Sequence, residues 1–130
     1  MGSEMCIRDR LYASGIRYID VAGSGGTSWS RIEHLRQDAE KKNDLGLLFQ
    51  DWGIPTPKAI EDIASLGLDI HLISSGGVRT GIDIVKSVIL GTKVGGMAKP
   101  FLAPAQKSAE AVIAEINNIC LLYTSDAADE

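Results

Sequence analysis

Two short apolar runs that each break on a pair of glycines constrain this chain more than any other feature. Residues 18–22 (YIDVA) run into Gly-Ser-Gly-Gly at 23–26, and residues 70–74 (IHLIS) run into Ser75-Gly76-Gly77. A third run, 94–98, carries Gly95-Gly96 within it and leads to Lys99-Pro100. Short apolar runs closed by turn residues read as buried parallel strands. Helical spacing fills the intervals: Trp29, Ile32 and Leu35 after the first run, and Ile60, Ile63 and Ala64 before the second. Thr56-Pro57 suits an N-cap and first helical position, and Gly67 a helix stop. Thr80 and Asp83 form a capping box for a helix over 82–90 that Gly91 ends, and Ala109, Val112, Ile113 and Ile116 stripe a last helix. The order is βαβαβα, which predicts a parallel sheet covered by helices.

The segment 44–55 (DLGLLFQDWGIP) fits neither period, because Gly46, Gly53 and Pro55 interrupt it. It reads as an extended loop or lid whose Phe49 and Trp52 either cover a site or pack on a helix.

At 130 residues, 45% hydrophobic and 23% charged, the chain can bury one domain's core. A net charge of −4 with no run of Lys or Arg argues against a nucleic-acid surface. No apolar stretch approaches the roughly 20 residues needed to cross a bilayer. Charged residues at Arg8, Asp9 and Arg10 exclude a signal peptide there, so a cytoplasmic protein is expected.

The ends read differently from the middle. Met5 to Asp9 can be encoded ATG TGT ATA AGA GAC. With AG on either side, the reverse complement encodes Cys-Leu-Leu-Tyr-Thr-Ser, which is the run at 120–125. Inverted repeats at both ends are the mark of a ligated linker, and both ends look like translated sequencing adapters. The expected organisation is therefore an adapter-like tail over 1–10, a natural segment over 11–119 and a second adapter-like tail over 120–130, the tails lacking packed contacts. Both cysteines, Cys6 and Cys120, fall in the tails, which removes disulfide, zinc-thiolate and thiol-nucleophile chemistry from the natural segment.

Glycine loops at successive strand ends, each with a helix start behind it, suit an anion: backbone amides can come close and the helix dipole favours negative charge. Arg79 in SSGGVRTG (74–81) adds a guanidinium that can fork two phosphate oxygens. Tight βα turns alone would also call for these glycines. Neither the Rossmann nor the Walker spacing is present, so the loops point to a phosphate site of another kind.

In order along the chain, GSGGTSWSRIE (23–33), DWGIPTP (51–57), SSGGVRTGIDIVKS (74–87) and GMAKPFL (96–102) resemble the C-terminal part of type 2 isopentenyl diphosphate isomerase. The resemblance spans nearly all of 11–119. SSGGVRTG is shared with other flavin-binding barrels, and GGTSW with DWGIPTP narrows the match. It implies an α/β fold, a partial TIM (β/α)8 barrel of about three C-terminal βα units. It also implies an enzyme that interconverts isopentenyl and dimethylallyl diphosphate with reduced FMN and a divalent cation, normally Mg2+, with NADPH as reductant and a homo-oligomer as the full-length assembly. By the same resemblance Thr27 would contact the flavin, Gly76, Gly77, Val78 and Arg79 would hold its phosphate, and Ala98 with Lys99 would close that pocket. Related flavin barrels commonly carry Arg where Lys99 stands, and Lys offers a point charge in place of a fork. The metal-binding and acid-base residues of the family lie largely on earlier strands, so no catalytic or metal-binding residue is expected here and the piece alone should be inactive.

Two other readings stay open at the sequence level. An α-hydroxy-acid oxidase type would need a His after the first run, and none occurs in 23–29. A non-catalytic phosphate-binding module would use the same loops without flavin. Among single residues, Glu33 reads as the partner of Ser30 in a capping box. His34 and His71 read as structural, and Trp29 as either packing or substrate-lining.

Overall fold

The computed structural model describes residues 3–37 and 43–126. In chain order the elements are α1 (Ser3–Ala13), β1 (Tyr18–Asp20), α2 (Trp29–Arg36), α3 (Leu45–Leu48), α4 (Thr56–Ala64), β2 (His71–Ser74), α5 (Gly81–Ile89), β3 (Thr92–Gly95), α6 (Lys99–Ala105) and α7 (Ala109–Asp126). The strands form one parallel sheet ordered β1-β2-β3. Tyr18 pairs with His71 and Asp20 with Ile73, while a register shift lies between the Leu72–Thr92 and Ile73–Val94 pairs.

The expected partial TIM (β/α)8 barrel is not what these residues build. The sheet stops at three strands, with β1 and β3 each exposing an outer edge, and seven helices accompany it among the described residues. Barrel closure needs eight strands whose stagger returns the last to the first. Three parallel strands supply too few ladders, and the result is a small open-sheet α/β domain.

The elements follow their local chemistry. Ile60 of α4 and Leu72 of β2 are buried against each other's layer, with Val78 and Ile119 completing the buried apolar set among the described residues. The capping box of α5 is present: the Thr80 hydroxyl accepts from the Asp83 amide at 3.2 Å and the Asp83 carboxylate accepts from the Thr80 amide at 3.0 Å. Gly67 and Gly91, at φ +63° and +118°, close α4 and α5.

Two boundaries differ from the sequence pattern. β3 lies at Thr92–Gly95 rather than 94–98, because the strand sits where β2 offers partners and not where apolar residues are densest. The cap of α2 is Ser28, which accepts from the Arg31 amide at 3.4 Å. Glu33 therefore has no capping role and sits 3.4 Å from the Arg36 guanidinium.

The ends are helical and partly packed. α1 runs through position 10, and Arg8 is only 6% exposed with its guanidinium 2.6 Å from Asp9. α7 runs through position 119, and Cys120 joins Ile84, Phe101 and Ile116 around a small hollow. Arg8, buried in α1, departs from the expectation that the tails lack packed contacts, whereas Cys120 is exposed; both tails continue as helix because extending a helix past its first turns adds a hydrogen bond per residue at little cost. No helix among the described residues is long and apolar enough to cross a membrane.

Candidate functional site

The carboxyl ends of the three strands lie together. The Val21 amide donates to the Ile73 carbonyl and the Gly23 amide to the Ser75 carbonyl, both at 3.1 Å, and the Gly96 amide donates to the Ser74 carbonyl at 2.6 Å. The loop after β1 is thereby laid along the loop after β2. Gly76 and Gly77 both adopt φ +91°, a conformation that L side chains rarely tolerate. A Cβ on Gly76 would run into the Gly23 carbonyl, and one on Gly77 would come within 2.7 Å of the Gly25 carbonyl oxygen. Glycine is required at both places twice over, by backbone angle and by the neighbouring loop.

A third segment locks this pair. Residues 54–56 return to the loop after β1, where the Ser24 amide donates to the Ile54 carbonyl at 2.8 Å and the Thr56 amide to the Ser24 carbonyl at 3.3 Å. The Thr56 hydroxyl crosses to the loop after β2 and shares its one hydrogen between the carbonyls of Ser75 at 3.0 Å and Gly76 at 2.5 Å. The cap position of α4 is Pro55, so Thr56 stands one residue inside the helix, not at the N-cap that its place before Pro57 suggests. The stretch read as a loop or lid divides: α3 packs on α2, Phe49 meets Trp52 edge-on at 5.7 Å, and Trp52 is 80% exposed.

Asp20 ties the same two loops. Its Oδ1 accepts from the Ser75 hydroxyl at 2.6 Å and from the Ala22 amide at 3.0 Å, and Ala22 is the one non-glycine residue at positive φ among those described, at +40°. Sequence reading passed over both Asp20 and the reach of Thr56 to the second loop. A carboxylate inside an apolar run, two residues before a turn, was the available signal for Asp20.

At the start of α5 the Asp83 carboxylate accepts from the amides of Arg79 and Thr80 at 3.1 and 3.0 Å. Partial burial works to raise this carboxyl, but the hydrogen bonds from Arg79 and Thr80, helped by Lys86, prevail and hold it below its usual value. Just before Arg79, the amides of Gly76, Gly77 and Val78 have no acceptor among the described residues. The Val78 side chain is buried and anchors this turn, whereas the Arg79 guanidinium is exposed and lies 3.4 Å from the Gly25 carbonyl. Three unpaired amides followed by an exposed guanidinium, at the N-terminal end of a helix, can accept a dianionic oxygen cluster.

The sequence-predicted residues divide into groups. Gly76, Gly77, Val78 and Arg79 come together with the first glycine loop. Thr27 is exposed and lines a hollow of about 1380 Å³ along β1 and the loop after it, shared with Asp20, Trp29, Phe49 and Trp52. Ala98 and Lys99 are exposed at the start of α6 and make no hydrogen bond or ion pair with 76–79. Gly95 and Gly96, a few residues earlier, reach the β2 end: Gly95 pairs with Ser74, and a Cβ added at Gly96 would lie 3.4 Å from that of Ser75. Trp29, at 74% exposure, faces solvent at the hollow and is not packed. His34 is buried with Nδ1 2.7 Å from the Asn43 carbonyl, and His71 stacks obliquely on Tyr18 at 4.9 Å, both structural contacts. Among the described residues no three His, Cys, Asp or Glu side chains converge to hold a metal ion.

No family model matches the chain. Among curated proteins it is similar to isopentenyl-diphosphate delta-isomerase of Hydrogenovibrio crunogenus, 46% identical over 106 residues that cover 82% of this chain and 31% of that protein. The protein of the same name from Paracoccus zeaxanthinifaciens is 50% identical over 115 residues, covering 85% of this chain and 32% of the relative. That from a Nostoc species is 39% identical over 133 aligned residues, covering 97% and 38%. The chain spans about a third of the length of the curated relatives it matches.

Proposed function

We propose that this chain is the C-terminal, flavin-phosphate-holding part of an FMN-dependent isopentenyl-diphosphate delta-isomerase. The observation that carries the reading is the run of unpaired amides at Gly76, Gly77 and Val78 with the Arg79 guanidinium beside it, held by the interlocked glycine loops. A phosphate monoester fits this set: its oxygens accept from the three amides, and Arg79 supplies the fixed charge that a dianion needs so close to the Asp83 carboxylate. Relatives bearing the isomerase name support the reading at 39–50% identity.

In this reading Gly76, Gly77, Val78 and Arg79 would hold the FMN phosphate. Thr27, on the rim of the large hollow, would contact the flavin, and Ala98 with Lys99, which make no hydrogen bond or ion pair with 76–79 in this structure, would close the pocket from the end of the third strand. Reduced flavin, when bound, would supply a proton donor and acceptor for shifting the substrate's double bond. The residues of this chain bind and orient, and none of them is assigned to proton transfer. The described residues offer no ligand set that fits a divalent cation, and no step is assigned to one. The relatives are about three times as long, so turnover is assigned to the whole protein, with this segment as its cofactor grip.

Titration of the chain with FMN, followed by quenching of flavin fluorescence, tests the proposal. Saturable binding is expected, weakened about tenfold to a hundredfold by Arg79→Ala, the range for losing charge-assisted hydrogen bonds. Absence of binding, or equal affinity in the variant, would sink it.

A further inference from the structure

Resting on the flavin-phosphate reading above, we infer that Thr56 is a positioning residue for that phosphate: its buried hydroxyl sets the direction in which the Gly76 and Gly77 amides face. In a trans peptide unit the C=O and N–H point to opposite sides, and no cis bond occurs among the described residues. The unit joining Ser75 to Gly76 carries the Ser75 carbonyl and the Gly76 amide. The next carries the Gly76 carbonyl and the Gly77 amide. Thr56 Oγ1 draws both carbonyls to itself, so both amides turn the other way, away from α4.

Something must fix these units, because two consecutive glycines impose little on their own backbone. The Ser75 carbonyl has a second anchor in the Gly23 amide, whereas the Gly76 carbonyl has Thr56 alone among the described residues. Three properties suit Thr56 to this role. It is 5% exposed, its amide is held by Ser24, and a β-branched side chain has few rotamers to choose from. With Pro55 at the cap position, its hydroxyl is not spent on capping α4. Buried behind the loop, it acts on the phosphate only through the amides it turns.

FMN and riboflavin differ by the phosphate alone, so their affinities for the 130-residue chain isolate this effect. Thr56→Val keeps the shape and removes the donor, and Thr56→Ser keeps the donor. We expect the unmodified chain to prefer FMN, Thr56→Val to shrink that preference about tenfold while riboflavin affinity stays put, and Thr56→Ser to restore it. A Val variant that keeps the full preference, or that loses both flavins in equal proportion, overturns the role of Thr56 and leaves the phosphate reading standing. An unmodified chain with no preference for FMN overturns the phosphate reading and this inference with it. Should the Val variant not fold, the unmodified chain titrated with inorganic phosphate decides the matter in 15N spectra. The Gly76 and Gly77 amide resonances must move, and a titration that moves neither overturns the inference.

Discussion

The strand ends and the outer edges of the same sheet lie a few residues apart and are held in different ways. At the carboxyl ends of β1 and β2, three chain segments interlock through backbone hydrogen bonds, and glycine is fixed by both angle and space. At the outer edges nothing interlocks among the described residues: Tyr18 is 69% exposed, Val94 is 55% exposed, and β1 and β3 each keep one side unpaired there. The difference is one of range. Loop closure is specified by residues within this chain, so it forms here; edge and face burial needs surface that these residues do not supply.

The sharpest way to break the comparison is Gly76→Ala. The substitution forces a Cβ into the Gly23 carbonyl at a backbone angle that disfavours any side chain, and both effects should appear together as a loss of about 3 kcal/mol or more in urea unfolding. A loss below about 1 kcal/mol would mean that the loops are not interlocked.

Next in size is the cap of α5. Thr80→Ala should cost about 1 kcal/mol near neutral pH, read from the same unfolding curves. Its pH dependence adds a second reading. Asp83 is held below its usual value in the folded chain, so its contribution is full above the unfolded carboxyl pKa and is lost as pH falls through the folded value. The stability difference between the native chain and Asp83→Asn should therefore narrow on acidification below the ordinary carboxylate range of about 4. A constant difference down to low pH would contradict the capping geometry.

The smallest effect belongs to the open face. Tyr18→Thr should cost only about 0.5 kcal/mol, the loss of its oblique contact with His71, and leave flavin affinity untouched, because Tyr18 is otherwise mostly in solvent. A large loss there would show that the face is covered in solution.

The same contrast explains which features were legible in the sequence. Helix starts and stops governed by neighbours could be read: the Thr80–Asp83 box and the closures at Gly67 and Gly91 are each set within a few residues. The clustering of Gly76 and Gly77 with the first glycine loop followed from the parallel order of the strands. What escaped reading depends on partners far along the chain. Thr56 before Pro57 looks like an N-cap, and only the folded chain shows its hydroxyl 20 positions away on Gly76. β3 was displaced because its place is chosen by β2, and Ser28 displaced Ser30 at the cap because helix phase depends on where the preceding loop releases the chain. The partial barrel was inferred from resemblance, and the three strands form a small open sheet instead.

The central claim, that the 76–79 turn grips a phosphate ester, is tested most directly by the 31P resonance of FMN in the presence of the chain. A gripped phosphate gives a shifted and broadened resonance that moves back toward its free position in Arg79→Ala at the same flavin concentration. Flavin that binds while its 31P signal stays where it is in free solution would contradict the claim.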